Sequence, residues 1–382
     1  MAQFTESSIV IPQIVNSTEE NGTLEFQIDN VDTSIVNSVR RTLLSDIPCF
    51  VFRTFPDSEN QATINKNTTR FHNEILKQRL GCIPIHIKDL DTPVDNLSVI
   101  IKVKNDTDSI KFVTTKDFQI RDNTSGKFLS ENEVNRIFPP CGPPSNGYIL
   151  FVRLRPRISA NIPGEEIDIE AKISISTSKE SGMYNVCSTA TYFMNPDAVK
   201  QNSEWGKIRN DMEQKGIEPD EIELNRQNWF IHDAKRIIKP NSFIFRVETV
   251  GVFTNLELIK KACTIVLDKL EKIGDIARQR QFEIISSKNT MPNCYDVIMK
   301  NVDYTVGKII EYVLHEDFFQ NKNKDNVSVI NYVGYIKEHP HDEDTLLRIS
   351  FANNVESTET INSLMEHASD VGITILKSIR DI

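Results

Sequence analysis

The chain has 382 residues, 39% of them hydrophobic and 26% charged, with a formal net charge of -10, enough for two or three domains around a sizeable core. The acidic balance excludes broad, non-specific affinity for nucleic acid, whose phosphates select Lys and Arg. No run reaches the ~20 apolar residues of a membrane-spanning helix, the opening MAQFTESSIVIPQ is not that of a secretory signal, and the six cysteines are scattered without a CxxC pair, outlining neither a disulfide nor a zinc framework.

In chain order, Leu24, Phe26 and Ile28 alternate with polar residues, which predicts a strand with one buried face. Asp32 or Thr33 can cap a following helix. Its Ile35, Val39 and Leu43 fall on one face with Val36 beside them, and Pro48 stops it. The segment NTTRFHNEILKQRLGCIPIHI (67–87) reads as helix, turn and strand. Glu74 and Arg79 flank apolar Ile75, Leu76 and Leu80; Gly81 is expected as the C-cap, and Pro84 as holding the next residues extended. LSVIIKVKN and EEIDIEAKISIS are strand-like, FPPCGPPSNGY (138–148) is a loop, and residues 205–238 are polar and helical in pieces. After the alternating 242–251 stretch comes a helix with Leu256, Ile259, Cys263, Val266, Leu267, Leu270 and Ile273 at spacings of three and four.

Then the opening plan returns. NVDYTVGKIIEYVLHED from Asn301 aligns without a gap on NVDTSIVNSVRRTLLSD from Asn30, with identities at Asn30/Asn301, Val31/Val302, Asp32/Asp303, Leu43/Leu314 and Asp46/Asp317. Val297 and Met299 alternate, Asp303 or Thr305 can cap, and Val306, Ile310 and Leu314 repeat the stripe. The alternating 346–351 stretch precedes a helix carrying Ile361, Leu364, Met365, Ala368, Ile375 and Ile379, with Ser357 or Thr360 at its cap. The repeated unit is thus a small sheet with two helices. It is compact in the second copy and interrupted in the first by an inserted, mostly β region. One such unit cannot cover both its sheet and its helical stripe, so two copies are expected to pack as an intramolecular pseudo-dimer.

Motifs for chemistry are absent: there is no phosphate loop, GxGxxG, HExxH, GxSxG or EF-hand loop. His339 and His341 sit among acids in EHPHDED, but a structural zinc site wants four convergent ligands; the expectation is an exposed turn around Pro340. Nothing gathers catalytic carboxylates. A hydrolase built on the two histidines is the least supported reading. Arg40 and Arg41 are different: adjacent on one turn, they point to different sides of the helix, and a guanidinium is suited to a partner's carboxylate or main chain.

With these residues the sequence resembles the alpha-like assembly subunits of multisubunit DNA-directed RNA polymerases. NVDTSIVNSVRRTLL, HNEILKQRLGCIPI and FIFRVETVG with its following helix match, in order, the signatures of the larger member of that pair. NVDYTVGKIIEYVL and NYVGYIKEHPHDEDTLLRISF match the smaller member, with Tyr304 where His is usual and Lys308 where Asn is usual. The chain thus resembles a fusion of the two, similar to fusions in some large DNA viruses.

The resemblance implies an α+β fold. Residues 1–86 and 240–278 would form the first dimerisation domain, 87–239 the insert and 279–382 the second dimerisation domain. It implies a non-catalytic assembly platform for transcription, on which the two largest, catalytic polymerase subunits and small polymerase subunits dock. Direct DNA contact is expected to be slight or nil, with no membrane contact and no homodimer. Arg40, Arg41, Glu74 and Arg79 are the expected docking residues; Asp32, Gly81, Pro84 and Asp303 are the expected caps and turns. Cys141 and Cys187 are the only cysteines in the insert, so neither metal nor cofactor is expected there. The location expected is host cytoplasm and virion if the source is viral, otherwise the nucleus, without secretion. The alternative is a free-standing protein-binding adaptor outside polymerase.

Overall fold

A computed structural model describes residues 7–142, 147–159, 162–320, 329–353 and 358–381. Its elements begin with β1 (Gln13–Glu20), β2 (Thr23–Asp29), α1 (Thr33–Ser45), β3 (Cys49–Val51), β4 (Ala62–Asn67), α2 (Asn73–Gly81), β5 (Leu97–Lys104), β6 (Lys111–Thr114) and β7 (Gln119–Asp122). There follow α3 (Glu131–Ile137), β8 (Leu150–Leu154), β9 (Glu166–Lys172), β10 (Ser174–Ser176), β11 (Cys187–Pro196), α4 (Ala198–Gln214) and α5 (Pro219–Ile231). Last come β12 (Ile238–Thr249), α6 (Asn255–Arg278), β13 (Glu283–Ser286), β14 (Cys294–Lys300), α7 (Tyr304–Leu314), β15 (Ile330–Ile336), β16 (Asp344–Phe351) and α8 (Thr358–Arg380). The chain is therefore mixed α and β. The cap position at Ser357 lies outside the described residues.

The chain divides into two compact units. One takes the residues up to Thr42, Thr189–Val247 and those from Ile259 onward; the other takes Leu43–Ser188 and Glu248–Leu258.

The first unit holds two four-stranded sheets of the same strand order, β1-β2-β12-β11 and β13-β14-β16-β15. The second is antiparallel throughout. The second copy runs β13, β14, α7, β15, β16, α8 along the chain, and the first has the same order in β1, β2, α1, β11, β12 and α6, with β3–β10 between α1 and β11 and α4 and α5 between β11 and β12. The repeat is thus six elements long, larger than the strand and helix pairs legible in the sequence. The alternation in β2 has its cause in burial: Leu24, Phe26 and Ile28 face inward, and Phe26 stacks on Phe245 with centroids 5.4 Å apart. Val297, Met299, Leu347 and Ile349 line the corresponding face of the second sheet.

The shared Asn-Val-Asp is a backbone device. Asn30 and Asn301 both take positive φ, 61° and 56°, a region where Asn is among the few tolerated side chains. Asp32 Oδ1 then accepts from Ser34 N at 2.7 Å, and Asp303 Oδ1 from Thr305 N at 3.0 Å. Each carboxylate satisfies an otherwise orphaned N–H of its helix start.

The long helices α6 and α8 meet antiparallel. Arg280 just after α6 pairs with Glu359 at the start of α8, 2.6 Å apart. Midway, the Ser369 hydroxyl donates to Leu270 O at 2.6 Å. A methyl on Gly372 would stand 3.1 Å from Leu270 and 3.2 Å from Ile309, and one on Gly274 would stand 2.8 Å from the Ser369 hydroxyl. These small residues set the close approach. Ile361, Leu364, Met365 and Ala368 are buried, as are Cys263, Val266, Leu267 and Leu270, each large aliphatic contributing roughly 1.5–3 kcal/mol relative to exposure. Leu256 does not belong to the stripe: it is exposed, and Leu258 is buried instead.

The second unit has a four-stranded sheet β4-β9-β5-β7 and the pairs β6-β8 and β3-β10. Its core includes Phe52, Val99, Ile101, Phe151 and Ile169, with the Phe118 ring edge-on to Phe138 and Phe151. The two units divide the chain differently from the boundaries expected above. Residues 43–86 cluster with this second unit because β3 pairs with β10 and β4 with β9. Residues 189–239 cluster with the first because β11 lies beside β12.

Candidate protein–protein interface

The expected docking residues lie in two constellations, one in each unit. In the first, Asp32 opens α1 and the two arginines follow later in the same helix. Arg40 is half-buried, its Nε and Nη2 both donating to Asn37 Oδ1 at 3.0 and 2.9 Å. Arg41 is exposed, and its Nε donates to Thr305 Oγ1 of α7 at 3.1 Å. It lines a groove of about 370 Å³ between the starts of α1 and α7, opposite Tyr304 and Lys308.

With Asn30 laid on Asn301, Arg41 and Tyr312 are equivalent, as are Asp32 and Asp303. Arg41 reaches the Asp303-capped start of α7. Tyr312 lies within the field of Asp32 at the start of α1; burial, then the charges of Asp32, Glu316 and Asp317, push its phenol up to about 12.

The two departures from the smaller-member pattern have structural duties. The Tyr304 hydroxyl accepts from Lys337 N at 3.0 Å, and its ring stands edge-on to Tyr335. Lys308 pairs with Glu311. Tyr335, in the NYVGYIKEHPHDEDTLLRISF stretch, is buried. Its hydroxyl donates to Val302 O at 2.8 Å and bonds Thr345 Oγ1 at 2.7 Å; burial pushes its phenol far above the ordinary value. The ring lies where a side chain on Gly307 would be, its Cζ 2.1 Å from the position of a Cβ. Gly307, Tyr335 and Thr345 thus hold the start of α7 onto its sheet. Both residues stand in the stretches quoted above, but that the ring fills the glycine's side-chain space was not legible in them.

In the second unit, Glu74 is exposed in the first turn of α2, where a carboxylate complements the helix dipole. Arg79 points the other way. Its Nε donates to Phe151 O at 2.6 Å and its Nη2 to Leu150 O at 2.7 Å, and its guanidinium covers the Phe71 ring at 5.7 Å. Arg79 is therefore bound to the edge of β8, and Glu74 is not brought together with it. Gly81 is not a left-handed cap: α2 includes it and ends on Cys82 at φ -85°. The glycine is needed for packing, since a Cβ there would stand 2.5 Å from Met183 Sδ and 2.9 Å from Thr54 Oγ1. Pro84 begins the stretch 84–89, which carries no regular structure instead of the expected strand.

His339 and His341 are exposed with ring centroids 5.2 Å apart, and among the described residues no three potential ligands converge on a metal position. Burial pushes the Cys49 thiol up to about 11 and the Cys263 thiol up to about 12, which makes both poor nucleophiles.

Comparison with known proteins agrees with this geometry. The family model described as the RNA polymerase Rpb3/Rpb11 dimerisation domain matches residues 25–270. The DNA-directed RNA polymerases I and III subunit RPAC1 of Saccharomyces cerevisiae is 24% identical over 291 residues, covering 64% of this chain and 82% of that protein. The DNA-directed RNA polymerase subunit Rpo3 of Methanosphaera stadtmanae is 24% identical over 288 residues, covering 67% and 95%. A putative DNA directed RNA polymerase subunit, R470, of Acanthamoeba polyphaga mimivirus is 21% identical over 324 residues, covering 77% and 74%.

Proposed function

The chain belongs to the family of the RNA polymerase Rpb3/Rpb11 dimerisation domain, and from that premise we propose that it is a non-catalytic assembly subunit of a DNA-directed RNA polymerase. In this reading the larger and smaller alpha-like partners are fused. Their two β-β-α-β-β-α copies form a pseudo-dimer within one chain, and the residues between α1 and β11 are an insertion into the first copy. The observation that carries the reading is the pair of sheets with one strand order, joined by the antiparallel α6 and α8. In this reading the chain is the platform on which the two largest catalytic chains dock, a role supported by its similarity to subunits of DNA-directed RNA polymerases. The similarity to a mimivirus protein supports a viral source, and with it host cytoplasm and virion as locations.

Arg40 and Arg41 are the docking residues we favour, because Arg41 is exposed beside Lys308 and two cations at one groove suit a carboxylate-bearing partner. Glu74 is a second contact; Arg79 supports the surface from behind by holding β8. Affinity purification of the tagged chain from its native cells, followed by mass spectrometry, tests the role. Very large polymerase chains should co-purify, and the Arg40→Ala/Arg41→Ala variant should recover them at a small fraction of the wild-type yield. Recovery of unrelated proteins alone would instead mark a free-standing adaptor.

A further inference from the structure

The second unit carries a groove of about 540 Å³, apart from the Arg40–Arg41 surface and floored in part by Arg79. It lies between the loop before α2 and strand β8. Its apolar surface includes Phe71 and Ile110, which are 38% and 53% exposed, with buried Phe151 behind them. Four arginines stand around it: Arg70, Arg79, Arg153 on the exposed side of β8, and Arg155 just after that strand. This is a cationic rim on a chain of net charge -10. One carboxylate, Glu165, lines the groove and is spent on Arg155. Arg70 and Arg153 are exposed and form no ion pair with any described residue.

Two features narrow the ligand. The Leu150 and Phe151 carbonyls on the groove side already accept from Arg79, so main-chain strand addition is blocked there and recognition falls to side chains. The aromatic faces are also taken: Arg79 covers Phe71 at 5.7 Å and Arg153 covers Phe112 at 5.3 Å. Nucleic-acid grooves instead offer bare rings on which bases stack. A guanidinium laid on a ring keeps its planar N–H edge for carboxylates.

We propose that this groove is a docking site for a short acidic segment of a partner protein. The segment's carboxylates would meet Arg70 and Arg153, and an interspersed aliphatic side chain would sit on Ile110 and against the uncovered edge of Phe71. The inference holds for any partner of that chemistry and does not depend on the polymerase assignment.

Fluorescence anisotropy on the full chain tests it with three labelled probes: a peptide alternating acidic residues with leucine, its leucine-to-serine version, and a single-stranded RNA of equal charge. The acidic leucine peptide should bind best. Its affinity should drop about tenfold or more in the Arg70→Glu/Arg153→Glu variant, and by less in Arg70→Gln/Arg153→Gln. It should weaken with added salt. Both residues are exposed, and an unchanged melting curve will show that the variants are folded. The proposal is overturned by absence of peptide binding, by equal binding of the serine version, by tighter binding of the RNA, or by folded variants that bind as well as wild type.

Discussion

Asp296 illustrates how one buried charge is kept in this protein. Its carboxylate takes both Nε and Nη2 of Arg348 on the neighbouring strand, at 2.6 and 2.8 Å. The fork geometry of that pair makes it stronger than a single contact. The Arg348 hydrogen bond, opposed by burial, leaves the Asp296 carboxyl below the ordinary carboxylate range. A depressed folded-state value means stability that is present above the unfolded pKa of about 3.9 and lost as pH falls through the folded value. Replacing Asp296 with Asn should therefore cost about 1–3 kcal/mol at neutral pH. Urea melts at pH 7 and near pH 3 check this; the gap between variant and wild type should narrow in acid. A gap of the same size at both would show that shape, not charge, is what Asp296 supplies.

Elements show where sequence reasoning carried and where it stopped. The stripes of α1, α7 and α8 were legible because their apolar spacing has a single reading, and each named side chain is buried. β1 was not: QIVNSTEE is exposed along nearly its whole length, so it has no alternation to detect. β11 was also assigned elsewhere, because its place beside β12 is a long-range pairing that local pattern does not encode. The arginine groove is likewise assembled from residues far apart in the chain, and only the fold gathers them. Gly307 is the element-level test. Its Cβ position is occupied by the Tyr335 ring, so Gly307→Ala must displace either α7 or that ring and its hydrogen bonds. We expect a loss of about 1–3 kcal/mol, read as a lower melting temperature. Tyr335→Phe, which removes only the hydroxyl, should cost about 1 kcal/mol. A larger loss for the tyrosine change would show that the hydrogen bonds matter more than the close approach.

For the molecule as a whole, the central consequence of our reading is that each repeat finds its partner on the same chain. A short tether raises the effective concentration of such a partner to the millimolar range, roughly, far above the concentrations used in solution experiments. Sedimentation velocity should therefore show one monomeric species whose coefficient does not change on dilution. A concentration-dependent dimer would argue that the repeats pair between chains. The sequence led to the pairing through a duplicated helix start, but the extent of the repeat became evident only when both sheets proved to share one strand order.

That strand order also shapes how the chain is made. β2 ends at Asp29, yet its neighbour in the sheet, β12, begins at Ile238. At roughly 5–20 residues per second, on the order of ten to forty seconds of synthesis separate the two. Throughout that interval β2 and α1 are already outside the ribosome with their apolar faces, Phe26 and Ile35 among them, and only β1 as a native strand partner. Nascent copies of this protein should thus be clients of cellular chaperones until β12 emerges, and a truncated product ending before it should be prone to aggregation.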